Sequence, residues 1–137
     1  RFDYAIAGRL DLDAEGLMIL TTDGLFAHQI TLPKSHVPKT YEVTLNRGFS
    51  HPLELYEGVM IKDGRNQIYQ AKALKIESEN EIVKITIDEG KFHQIKRMFE
   101  SVGYLVVKLK RIQIGNFFLG DLPVGEYKEF RKEEIYD

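Results

Sequence analysis

Three carboxylates fall within five residues near the start of the chain, at Asp11, Asp13 and Glu15, and glycines bracket the stretch. The apolar run 17–20 follows directly and is typical of a strand covered on both faces. By composition alone this stretch is an ordinary turn. Its anchorage on a strand nevertheless predicts a rigidly held loop, which is where catalytic groups tend to lie. A carboxylate held there can act as a nucleophile or as a proton acceptor.

Three segments carry specific residue orders. The first is Gly-Arg-Leu-Asp at 8–11 followed by Gly-Leu-Met-Ile-Leu-Thr-Thr-Asp-Gly at 16–24, the second is Lys-Thr-Tyr-Glu-Val at 39–43, and the third is Gly-Lys-Phe-His-Gln-Ile-Lys-Arg-Met-Phe at 90–99. Together they resemble the motifs of the pseudouridine synthase family. The third resembles most the branch that modifies small-subunit ribosomal RNA. The resemblance runs from about residue 8 to 130.

The resemblance implies an isomerase that converts uridine in RNA to pseudouridine without a cofactor. Asp11 falls at the position of the essential carboxylate, and it would act as a nucleophile or a base. Tyr41 would stack on the uracil and help to move the C5 proton, although a Tyr on the apolar face of a strand is usually a core residue. Lys96 falls at the position of the basic partner of the Asp, since a nearby cation favours an ionised carboxylate.

Basic residues concentrate between positions 91 and 111, six against the single acid Glu100, although the net charge of the chain is −2. This region is a candidate phosphate-contact surface, and the alternative is a solvated helix face followed by an edge strand guarded by lysines. Arg9 could hold phosphate, fill the gap left by the extruded nucleotide, or pair with a neighbouring acid. His93 is interpreted as a residue that caps or packs a helix. The candidate RNA contacts are Arg9, Lys91, Arg97, Lys108, Lys110 and Arg111.

Composition excludes several classes of protein. The chain has no cysteine, and its four histidines lack metal-ligand spacing, so neither a disulfide framework nor a zinc site is expected. No apolar stretch approaches the ~20 residues of a membrane span. A cytoplasmic monomer without metal is the default, with ribosomal RNA, or an assembling small subunit, as its partner.

Hydrophobic periodicity predicts an α+β fold with a mixed, largely antiparallel sheet flanked by short helices. Tyr41, Val43 and Leu45 are predicted to face the covered side of their strand. A hairpin is predicted around residues 78–80, and an amphipathic helix that stops near Gly103. The predicted helices are 23–31, 52–56 and 92–102, and the predicted strands are 39–45, 69–76, 81–87 and 105–114.

The 137 residues fit one domain. By the resemblance, that domain is a partial catalytic domain, without the first catalytic strands and without the S4-type RNA-binding domain that usually precede it in this branch. Weak RNA binding is expected from that absence, and activity of this polypeptide alone is open.

Three function classes remain at this point. The first is the RNA-modifying enzyme, acting on small-subunit or, alternatively, large-subunit ribosomal RNA. The second is a catalytically silent module for RNA binding or ribosome assembly. The third is a glycosidase, because Asp13 or Glu15 could supply the second acid that hydrolysis needs.

Overall fold

The computed structural model describes residues 4–8, 10–12, 14–32, 37–89 and 93–136. Short strands and short helices alternate along the described part of the chain. The strands are β1 (Ala5–Ala7), β2 (Glu15–Gly16), β3 (Ile19–Thr21), β4 (Lys39–Leu45), β5 (Val59–Lys62), β6 (Ile68–Ala71), β7 (Lys75–Glu79), β8 (Ile82–Ile87), β9 (Val106–Ile114) and β10 (Phe117–Phe118). The helices are α1 (Gly24–Thr31), α2 (Pro52–Glu57), α3 (Gln94–Ser101) and a 3-10 helix at Lys132–Tyr136.

The main sheet has the order β10-β9-β4-β8-β7, and all of these neighbours are antiparallel. Strand β2 adds to β9 in parallel. Two smaller antiparallel units, β1-β3 and β5-β6, complete the described strands. The predicted α+β class with a mixed, largely antiparallel sheet is therefore confirmed.

Alternation places the core on one face of the main sheet. On β4, Val43 and Leu45 are buried, and Tyr41 packs against the same cluster, as predicted. The inward residues of β8 and the apolar side of α3 contribute to this main core, and further buried residues complete it: Leu55, Ile61, Ala71, Ala73, Tyr104 and Leu109. The hairpin between β7 and β8 and the extent of β4 and β9 agree with the predictions.

Helix α3 follows its predicted amphipathic pattern, with Ile95, Met98 and Phe99 buried. Gly103 ends it at a φ of +90°, a left-handed conformation that glycine adopts without steric cost. Helix α1 begins at its cap Asp23, whose carboxylate accepts the Phe26 N–H at 3.1 Å. The starts of α1 and α2 agree with the predicted starts to within one residue, whereas α3 begins at Gln94 and its predicted start at position 92 lies outside the described residues.

Two strand predictions are wrong. The run 17–20 is not covered on both faces, since Met18, just before β3, is 42% exposed and Leu20, on the two-stranded β1-β3 unit, is 59% exposed. The predicted strand 69–76 is two strands: β6 pairs with β5, and β7 pairs with β8 in the main sheet. Neither fact depends on local periodicity, since the number of covering layers and the pairing partner are tertiary properties.

A second core lies beside the main one and joins β1, α1 and the end of β9. The C-terminal 3-10 helix, which was not predicted, contributes Ile135 to it. A Cβ at Gly115 would lie 2.6 Å from the Ile135 side chain, so this contact requires the absence of a side chain there.

Lys39 is a buried cation at the start of β4. Its Nζ donates to the carbonyls of Ile30, at 3.1 Å, and Val37, at 3.3 Å. Burial foremost, together with the nearby Arg111 guanidinium, lowers the pKa of Lys39 to about 8 against the opposite effect of Asp88.

Replacing Lys39 with Met should change how stability depends on pH. Because the pKa of Lys39 is about 8 when folded and 10.5 ordinarily, the unfolded chain binds more protons between these values. The free energy of unfolding of the wild type, relative to Lys39→Met, should therefore rise with pH above 8, by up to about 1.4 kcal/mol per pH unit. Urea unfolding at several pH values measures the difference. The exposed Lys84→Met is the control and should keep the wild-type slope; a pH-independent difference for Lys39→Met would contradict the prediction.

Candidate active site

Asp11 lies on the segment that links β1 to β3, which we call the Asp11 segment (residues 8–17, described except at positions 9 and 13). Its carbonyl accepts the Ala14 N–H at 2.9 Å, which closes a turn. The side chain is 31% exposed. The carboxylate is therefore held on a turn and accessible from outside.

The imidazole of His93 lies beside this carboxylate, with Nε2 3.9 Å from Asp11 Oδ1. His93 precedes α3 in a left-handed conformation, at a φ of +50°, and its side chain makes no capping hydrogen bond. His93 thus occupies the N-cap position of α3, as its interpretation as a capping residue has it, but it is the His93 carbonyl, which accepts the Arg97 N–H at 3.0 Å, and not the imidazole that bonds this end of the helix. When protonated, His93 supplies a positive charge next to Asp11. Sequence reasoning missed this pair, because nothing local relates positions 11 and 93.

Lys96 lies on α3 one turn after His93 and is half-buried. The role of Lys96 as the basic partner of Asp11 stays a prediction.

One strand, β9, lies between Tyr41 on β4 and the Asp11 segment. Its Cα partner on β9 is Arg111, and the Cα partner of Arg111 on β2 is Gly16. Tyr41 is half-buried against the main core. The phenol is thus a packed side chain with part of its surface accessible, and its stacking role stays a prediction.

The interpretation of Arg111 as an RNA contact is wrong. Arg111 is only 1% exposed, so its guanidinium lies in the interior of the protein. Its Nε donates to the Leu17 carbonyl at 2.9 Å, and its Nη2 donates to the Gly8 carbonyl at 2.8 Å. Strand β9 is an interior strand, paired on both sides, and not the edge strand considered as the alternative. The available sequence signal was the pair Gly8 and Gly16, since such glycines mark close backbone approach.

Lys110 lies on the outer face of the sheet within a row of alternating charges. Its Cα partners are Glu15 on β2 and Glu42 on β4, and the row continues through Lys84 to Glu77. Opposite charges facing each other across strands stabilise a sheet, and they offset the attraction of Lys110 for a phosphate. The row weakens the case for Lys110 as an RNA contact.

The remaining basic candidates are dispersed. Lys108 is exposed near the other end of β9, and Arg97 is half-buried on α3, where it lines an open groove with Lys62 and Glu100. Arg9 and Lys91 lie outside the described residues. The described residues of the candidate phosphate-contact surface are thus divided between a helix and the sheet.

Within the described ranges, no group of three or more His, Asp or Glu side chains is arranged to hold a metal ion. No helix of the described chain has the length and apolar character needed to cross a membrane.

Comparison with known proteins gives one consistent family. A family model described as RNA pseudouridylate synthase matches residues 1–101. An uncharacterized RNA pseudouridine synthase of Bacillus subtilis, YtzG, is 44% identical over 99% of this chain and 59% of its own length. The Ribosomal small subunit pseudouridine synthase A of Escherichia coli K12 is 40% identical over 94% of this chain and 56% of its own. That of Yersinia pestis is 42% identical over 94% and 55%. The chain thus spans a little over half the length of these relatives.

Solved structures agree. A crystal structure of a pseudouridylate synthase superimposes with a TM-score of 0.85 at 40% identity, over 96% of this chain and 58% of that one. A Cbf5-Nop10-Gar1 complex gives a TM-score of 0.57 at 17% identity, which is a likeness of fold alone.

Substituting Gly16 should disrupt the base of the Asp11 segment. A Cβ at Gly16 would lie 2.2 Å from the carbonyl oxygen of Arg111, at a φ of +121°. Gly16→Ala should therefore lower the free energy of unfolding by about 2–4 kcal/mol, measured by denaturant unfolding.

Gly24→Ala is the matched control. Gly24 is the first residue of α1, and a Cβ there meets nothing within 4 Å. Its stability should be unchanged or raised by up to about 1 kcal/mol. Equal losses in both variants would refute the close approach at Gly16.

Proposed function

The chain belongs to the RNA pseudouridylate synthase family, and we propose that it isomerises one uridine of small-subunit ribosomal RNA to pseudouridine, with Asp11 as the catalytic carboxylate. The observation that carries the proposal is the accessible Asp11 carboxylate, held on a turn beside His93 and aligned with the first family motif. The names of the Escherichia coli and Yersinia pestis relatives support the small subunit as the source of the RNA.

The reaction breaks the bond between ribose C1′ and uracil N1, turns the base, and joins C5 to C1′. C5 loses a proton and N1 gains one, so nothing is added or lost overall. The target base must leave its stack and stay enclosed while detached. Asp11 would attack the nucleotide or take a proton from its sugar, and an aromatic side chain would hold the free ring.

Tyr41 suits the second task. A phenol offers a face for stacking and a hydroxyl for proton transfer, and the part of Tyr41 not packed on the core is accessible. His93, and Lys96 one turn further along α3, would keep positive charge near Asp11 while the ring is detached. These roles are proposals that follow from the motif positions together with the contacts above.

The other two classes have less support. A glycosidase needs two acids facing one sugar, whereas Glu15 is exposed and its Cα partner is Lys110 on the outer face of the sheet. Asp13, the other candidate for the second acid, lies outside the described residues. A silent binding module would have no chemical need for an accessible Asp11 beside His93. Ribosomal RNA, without a cofactor, is the partner we propose.

Asp11→Asn should abolish pseudouridine formation. The amide keeps the size of the carboxylate but removes its nucleophilic and basic oxygen, so the single-turnover rate on small-subunit RNA should fall below about one ten-thousandth of the wild-type rate. Mass spectrometry of nuclease-digested RNA measures the product. Glu15→Gln, a matched loss of a carboxylate in the same segment, should keep the wild-type rate. Retained activity in Asp11→Asn, or its loss in Glu15→Gln, would refute the assignment.

The source of the RNA can be tested in cells. Cells that lack the gene encoding this chain should lose one pseudouridine in small-subunit RNA, and the wild-type gene, but not an Asp11→Ala gene, should restore it. Sequencing of chemically marked pseudouridines gives the position. If the pseudouridine is lost from large-subunit RNA instead, the proposed substrate is wrong and the large subunit takes its place. If no pseudouridine is lost from either RNA, the result favours the silent binding module.

A further inference from the structure

Arg111 joins the two ends of the Asp11 segment. The Gly8 carbonyl lies three residues before Asp11, the Leu17 carbonyl lies six residues after it, and one guanidinium bonds both. The main chain of the same arginine also accepts the Leu17 N–H at 2.8 Å. A single buried side chain thus sets the distance across the base of the segment.

Two glycines of the segment, Gly8 and Gly16, also lie close to Arg111. A Cβ at Gly8 would lie 3.5 Å from Arg111 Nη1, and one at Gly16 would overlap the Arg111 backbone. Both glycines have positive φ, at +87° and +121°. The ends of the segment therefore take conformations that suit close contact with Arg111.

A buried guanidinium is costly unless its donors are satisfied, and an apolar side chain could fill the same space at lower cost. Both carbonyls bonded to Arg111 belong to the Asp11 segment, although the side chain is surrounded on all sides. The charge and its planar fork are used to hold that segment.

We propose that Arg111 is a positioning residue for Asp11: it fixes the span of the segment and thereby the location of the carboxylate relative to Tyr41, the Cα partner of Arg111 on β4. The inference rests on the proposed function, in which Asp11 is the catalytic carboxylate. Arg111 does not touch RNA itself, so its loss acts on the chemical step and not on the affinity for RNA.

The test compares Arg111→Met, which keeps the approximate volume, with Arg111→Lys, which keeps the charge but loses the fork. Val83→Ala is the matched control, since Val83 is fully buried in β8 and has no part in the proposed site. Each variant is measured for single-turnover rate, for RNA affinity, and for hydrogen exchange in residues 8–17.

We expect Arg111→Met to lower the rate by about 10²-fold with nearly unchanged RNA affinity, because a displacement of about 1 Å in a reacting group has an effect of that size. Exchange in residues 8–17 should become faster. The single-turnover rate of Arg111→Lys should lie between those of Arg111→Met and the wild type, because one ammonium group bonds fewer carbonyls than the fork. If Arg111→Met does not fold, Arg111→Lys is used in its place. Val83→Ala should keep its rate at a temperature where it is folded.

Two results would overturn the proposal: unchanged exchange in residues 8–17, or rate losses equal to those of Val83→Ala at matched stability. If the wild type forms no pseudouridine, the proposed function fails. Faster exchange in Arg111→Met would then still support the positioning of the segment by Arg111.

Discussion

The described structure around Asp11 depends on one buried guanidinium that bonds both ends of a ten-residue segment. Arg111 can serve both ends because its fork carries several donors in one plane. Its burial in turn requires β9 to be an interior strand, with β2 on one side and β4 on the other. The parallel addition of β2, the one exception among the described pairs of this sheet, brings the segment against Arg111.

The Asp11 segment also bridges the two cores. Ala14 packs against the main core, and Leu17 belongs to the second. Lys39 performs a similar task nearby, since its ammonium bonds carbonyls at the end of α1 and just before β4. Hydrogen bonds from these two buried cations to carbonyl groups thus tie the ends of the Asp11 segment to β9 and the end of α1 to the start of β4. Such cations carry a desolvation cost, and their acceptors have to be well placed to offset it.

Much of the fold was predictable because its signals are local. The alternation in β4 and β8, the cap at Asp23, and the apolar spacing in α3 depend on neighbours a few residues away. The prediction that the run 17–20 is covered on both faces was wrong, because exposure depends on how many layers pack against the strand. The C-terminal 3-10 helix was not predicted for a related reason, since its Ile135 packs in the second core against residues far away in the sequence.

For the site, the sequence by itself determined which chemistry was available: a carboxylate at position 11 in a specific motif, an aromatic residue on a half-buried strand, and cations on a helix. Only the tertiary structure decided where the basic side chains lie. It turned Arg111 inward and brought His93 to 3.9 Å from Asp11. The physical reason is that charge and hydrogen-bonding capacity belong to the residue type, whereas burial and distance between residues far apart in the chain arise only when strands and helices pack.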